Sequence, residues 1–159
     1  MLEHCQDKQE RYQRVQKLVQ QWLNERNNLQ NAYTMLRQVK DPDRHCQHTL
    51  SYLKSFCETL IDYISAGHFE VYDQLAKESE AFGENYEAWL ATVYENIQPS
   101  TDCALDFHET YNTDEQCIQA FNKLQTELLN LRQALEQRFQ LEDQMIEQLH
   151  SCHGEEVTA

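Results

Sequence analysis

One Glu-x-x-His pair, Glu147 to His150, stands near the end of the sequence. On a helix, residues three apart share a face, and helical bundles use such pairs to hold two iron or manganese ions. Those sites need two inward pairs from different helices, and this chain holds one. Two further clusters, His45-Cys46 with His48 and His150 with Cys152-His153, carry donors that zinc or nickel accepts. Neither has the four-ligand spacing of a structural site, so they predict adventitious binding only. There is no Gly-rich phosphate loop and no nucleophile elbow. Cys5, Cys46, Cys57, Cys103, Cys117 and Cys152 are scattered without a CxxC pair, and free thiols are expected. The expectation is a protein without a cofactor or a resident metal, and not an enzyme.

Charged groups in the wrong places are more informative. Arg26 lies about 40° from Trp22 on a helical wheel at ~100° per residue, inside an apolar stripe. Glu142 lies between Leu135 and Leu149 in another stripe, and His68 falls on a third core face. Buried charge is costly unless paired. Either these groups satisfy one another, or they line an opening in the fold. The stretch Asp62-Tyr-Ile-Ser-Ala-Gly-His-Phe-Glu-Val-Tyr72 adds a second oddity. Ser65, Ala66 and Gly67 are three small residues in mid-helix, where Gly costs up to ~1 kcal/mol relative to Ala. The usual compensation is close approach, by a neighbouring helix or by a partner. On the helical wheel Glu58, Asp62, Ser65, Phe69 and Tyr72 share a face turned well away from the core, an interface-like mixture of acid and aromatic.

The elements that position these residues are helices. Gly (3) and Pro (2) are too scarce for a protein built on sheets and long loops. The first predicted helix covers about 8–39, with Val15, Leu18, Val19, Trp22, Leu29, Tyr33 and Leu36 on one face, and stops at Asp41-Pro42. The second covers 44–82, striped by Leu50, Leu53, Cys57, Leu60, Ile61, Ile64, Val71 and Leu75, with Phe56 and Tyr63 widening the stripe and Gly83 as its stop. The third covers 85–112 through Tyr86, Trp89, Leu90, Val93 and Ile97, is kinked or broken near Pro99, and continues through Ala104, Leu105 and His108. The fourth covers 114–150, opened by a Thr113-Asp-Glu-Gln116 capping box and striped from Phe121 to Leu149. Residues 151–159 follow Leu149-His150 as a flexible tail. Four long amphipathic helices with short connections predict an all-α, antiparallel up-down-up-down four-helix bundle in one domain, residues 1–159.

Charge and hydropathy set the context. No apolar run reaches the ~20 residues of a membrane span. The opening MLEHCQDKQERY has no signal-peptide core, which predicts a cytoplasmic protein. The net charge of −14 is uneven: residues 58–115 hold 14 acids against Lys77, for −13, while residues 1–57 carry +3 and residues 116–159 carry −4. An acidic block solubilises a surface and also steers a basic partner, and it repels a nucleic-acid backbone.

The unusual residues carry a resemblance. DYISAGHFEVY at 62–72, with FCETL before it, resembles the most characteristic segment of the Rsd/AlgQ family of bacterial regulators. RFQLED at 138–143 and QWLNER at 21–26 resemble that family's fourth-helix and first-helix motifs. The likeness is nearer the AlgQ branch, and it is weak over 41–48 and 83–116. It implies an anti-sigma factor that binds region 4 of the housekeeping sigma factor and blocks its −35 promoter and core-polymerase contacts. The expected complex is 1:1 with a monomer, though exposed aromatics leave self-association open, and the acidic charge argues against direct contact with nucleic acid. Matched residue by residue, Asp62 would pair with a sigma arginine, while Glu58, Ser65, Phe69 and Tyr72 line the contact. Trp22, Arg26, Gly67, His68, Arg138, Phe139, Glu142 and Asp143 would support it from behind. A regulator of a metabolic enzyme or phosphocarrier would share most of these surface features, and a metal-carboxylate bundle is the third possibility.

Overall fold

In the computed structural model every element among the described residues is helical, and four rods result. The backbone is described for residues 2–39, 47–79 and 84–158, and the side chains for 9–39, 48–78 and 85–151. The Asp41-Pro42 and Gly83 stops, and the side chains of Cys5, His45, Cys46, Cys152 and His153, lie outside these. The rods are α1 (Leu2–Arg37); α2 (Gln47–Ala66), a π-turn (Gly67–Val71) and α3 (Tyr72–Ser79); α4 (Glu84–Thr110); and α5 (Asp114–Ala120), a 3-10 turn (Phe121–Lys123) and α6 (Leu124–Thr158).

The stripes meet as their spacing requires. Trp22, Leu29, Leu36, Leu53, Phe56, Leu60, Leu124, Leu128 and Leu131 are all within 1% of full burial. Burying one such side chain contributes ~1.5–3 kcal/mol, so periodicity alone supplies the driving force. Cross-contacts run in opposite order along neighbours. Tyr33 meets Phe56 and Trp22 meets Tyr63 between α1 and α2. Phe56 meets Phe107, and Tyr72 meets Tyr94, against α4. Between α1 and α6, Tyr12 pairs with His150, Arg26 with Asp143 and Tyr33 with the Leu128 carbonyl.

Several local expectations are refined. The capping box forms: the Gln116 N–H donates to Thr113 Oγ1, and the Thr113 N–H donates to Gln116 Oε1, both at 3.2 Å. The helix it opens is interrupted by the 3-10 turn before α6 begins. Pro99 sits inside one helix, not between two, and the Ser100 hydroxyl turns back to the Ile97 carbonyl at 2.6 Å. Beyond it, Ala104 and Phe107 are buried, and Leu105, expected inside, is 49% exposed. The stripe there steps 97, 100, 104, 107, 111, which leaves Leu105 ~100° off its line. The last helix, expected to end near 150, runs on to Thr158. A single glycine, Gly154, costs ~1 kcal/mol in helix propensity and does not outweigh the helix formers around it. No helix among the described residues is long and apolar enough to cross a membrane.

Candidate functional site

The π-turn decides how the site is arranged. The Tyr72 N–H donates to the Gly67 carbonyl, five residues back, so one residue more than an α-turn is accommodated. That insertion sets the residues beyond it back by about one position on the wheel, ~100°. It explains one of two corrections: Tyr72, expected on the outer face, is 4% exposed. His68, expected in the core, lies on the surface; it precedes the shift, and the wheel puts it ~80° from Leu60, at the margin of the stripe. Gly67 lies against the Trp22 ring of α1: a Cβ there would stand 3.3 Å from Trp22 Cζ2 and Nε1. The mid-helix glycine is thus explained by a neighbouring helix. Trp22 is held in turn, stacked on Tyr63 at 5.6 Å and edge-on to Tyr72.

Behind the turn lies a buried polar network. Glu142 is fully buried. Its Oε1 accepts from the Tyr63 hydroxyl at 2.8 Å and its Oε2 from the Tyr72 hydroxyl at 2.9 Å. Two arginines flank it, Arg26 Nη2 at 3.6 Å and Arg138 Nε at 3.6 Å. Arg26 also donates to the Tyr63 oxygen at 3.1 Å and to exposed Asp143 at 2.6 Å, with its guanidinium over the Phe139 ring at 4.7 Å. Arg138 is fully buried, and its Nη1 donates to Ser100 and Thr101 on α4. Burial pushes the Glu142 carboxyl up to about 7, against the pull of Arg138 and Arg26 and the two hydroxyl hydrogen bonds. Of the three residues read as exceptions within stripes, Arg26 and Glu142 are brought together, and His68 is not. His68 packs its ring on Phe69 and Tyr72 and lines a cavity of about 240 Å³ with Tyr94, Gln98 and Thr101.

The outer side of the same rod is acidic and aromatic. Glu58, Asp62, Phe69 and Glu70 are exposed and Ser65 is half-buried. Phe69, at 74%, is the most exposed large apolar side chain among the described residues. Sequence reasoning missed Glu25. Burial, and then the charges of Glu70 and Asp62, push its carboxyl above the ordinary range, so an α1 acid faces this surface across the helix seam. It also missed Glu78, buried and paired with Arg11 at 3.4 Å.

Other candidate chemistry is not assembled. Among the described residues no group of three His, Cys, Asp or Glu side chains could hold a metal ion. Glu147 and His150 lie on the surface, and the His150 ring bonds the Tyr12 hydroxyl. Cys57, Cys103 and Cys117 are free thiols; burial raises all three above the ordinary range, Cys57 to about 12, so none is poised as a thiolate.

Comparison with known proteins adds an independent line. Residues 1–150 match the sequence pattern of the family described as "Regulator of RNA polymerase sigma(70) subunit, Rsd/AlgQ". The chain is 32% identical over 131 residues to the regulator of sigma D of Yersinia pseudotuberculosis, covering 82% of this chain and 78% of that protein. It is 34% identical over 150 residues to the regulator of sigma D of Salmonella paratyphi A, covering 92% of this chain and 90% of that protein.

Proposed function

The chain belongs to the Rsd/AlgQ family of regulators of the RNA polymerase sigma(70) subunit, and on that premise we propose that it is an anti-sigma factor whose docking face is the outer side of the α2–α3 rod. The observation that carries this reading is Phe69. A phenyl ring left 74% exposed next to Asp62 and Glu70 offers an apolar anchor inside an acidic rim. Sigma region 4 presents a basic helix-turn-helix that otherwise meets DNA phosphate, and the −13 carried by residues 58–115 is a substitute for that phosphate. Occupying it blocks both the −35 contact and the docking of region 4 on core polymerase, and leaves polymerase to alternative sigma factors. The chain then acts in the cytoplasm, as a monomer in a 1:1 complex, by binding and not by catalysis. Asp62 pairs with a basic side chain of region 4, while Glu58 and Ser65 complete the contact. Tyr72, being buried, supports it from beneath.

The test is co-elution of the purified chain with sigma region 4. The wild type forms a 1:1 complex, and Asp62→Arg loses it while keeping its helical circular dichroism. Absence of a wild-type complex at micromolar concentration, or an Asp62→Arg protein that binds as well as wild type, overturns the assignment. A pull-down dominated by a metabolic enzyme or phosphocarrier does the same.

A further inference from the structure

The segment that presents Phe69 has two conceivable registers. In a continuous α-helix Tyr72 joins Asp62, Ser65 and Phe69 on the outer face, as ~100° per residue dictates. In the structure the five-residue turn carries Tyr72 inward instead. Local sequence does not select that turn, because π-geometry is rare and poorly favoured on its own. Tertiary contacts select it. The Tyr72 hydroxyl donates to Glu142 at 2.9 Å, the Tyr94 hydroxyl donates to the Tyr72 carbonyl at 2.7 Å, and the two tyrosine rings stack at 5.6 Å. Trp22 fills the space over Gly67.

We propose that Glu142 is a positioning residue for the docking face: by anchoring the Tyr72 hydroxyl it fixes the π-turn, and thereby the direction of Phe69 and Glu70, without touching the partner. The groups around it come from all four rods. Arg26 reaches it from α1, Tyr63 from α2, Tyr72 from the head of α3, and Arg138 from α6. From α4, Ser100 and Thr101 hold Arg138, and Tyr94 holds Tyr72. With the anchor weakened, the helix relaxes toward α-register and Tyr72 competes for the surface beside Phe69. This inference rests on the anti-sigma reading for its binding consequence and stands apart from it for its structural one.

The experiment uses the full chain with Glu142→Gln, Tyr72→Phe and, as a control, Met145→Ala, a fully buried core residue one turn further along α6. Tyr72→Phe keeps the ring and removes only the hydroxyl, so it folds where a harsher change would not. Affinity for sigma region 4 and amide exchange over 67–73 are measured together. Both anchor variants bind about tenfold more weakly, the scale of one buried hydrogen bond, and exchange faster across the π-turn than elsewhere. Met145→Ala melts lower but binds as wild type. Anchor variants with wild-type affinity and unchanged exchange at 67–73 overturn the positioning role, as does a Met145→Ala affinity loss that tracks the fall in melting temperature. Should Asp62→Arg also bind as wild type, the docking face itself is misassigned. The exchange measurement still decides whether Glu142 holds the turn.

Discussion

The two sides of the α2–α3 rod handle charge in opposite ways. Inward, one carboxylate, Glu142, is enclosed by two tyrosine hydroxyls and two guanidiniums. Outward, Asp62 and Glu70 are exposed, and their charges bear on the half-buried Glu25 across the seam. Buried charge must be paired where it stands, because desolvation otherwise costs several kcal/mol. Exposed charge is screened by water and can wait for a counterion from outside. Pairing fixes shape on one side, and exposure leaves binding capacity on the other.

The largest contrast between the sides lies in stability. Glu142→Ala removes the counter-charge of two arginines and the acceptor of two hydroxyls and is expected to cost about 3–5 kcal/mol in urea unfolding. Phe69→Ala, on the other side, shifts stability by under about 0.5 kcal/mol. Equal effects would erase the distinction. A smaller contrast lies in pH. The Glu142 carboxyl titrates near 4.5 when unfolded and about 7 when folded, so between those values the folded protein holds the extra proton. Stability from this group is therefore greatest below about 4.5 and is lost as pH rises toward 7, by at most about 3 kcal/mol. Glu142→Gln should remove that slope from the wild-type curve, and parallel curves across the window would show that the paired charge escapes the cost of burial. Smallest is Gly67→Ala. The added methyl gains ~1 kcal/mol in helix propensity but meets Trp22 at 3.3 Å, and Trp22 is pinned by Tyr63 and Tyr72. A net loss of about 1 kcal/mol with altered Trp22 fluorescence is expected, and a gain in melting temperature would mean that the ring yields.

Helix identity and stripe membership were legible because both follow from spacing. So were the Thr113 capping box and the two strongest exceptions, Arg26 and Glu142, whose charges break an otherwise apolar pattern. The displacement of Tyr72 has a single cause. A wheel drawn at constant pitch takes no account of an inserted residue and so leaves Tyr72 on the outer side, whereas His68 stands at the margin of the stripe, where the wheel decides little. Nothing local marks the insertion, since its causes, Glu142 and Trp22, lie on other helices. Arg138 was readable by the same rule as Glu142, for 131, 135, 138, 142 and 145 step by three and four, yet only the family resemblance singled it out. Glu25 gave no signal, because its neighbours Asp62 and Glu70 are known only once α1 and α2 are placed side by side.

The seam between α1 and α6 is thin. It is bridged by Tyr12–His150, Arg26–Asp143, Tyr33–Leu128 and Arg37–Gln125, and is flanked by hollows of about 350 and 420 Å³. Polar stitches over gaps resist shear but yield to spreading. Since Arg26 is one of those stitches and also stands 3.6 Å from Glu142, the seam is tied directly to the carboxylate in the middle of the molecule.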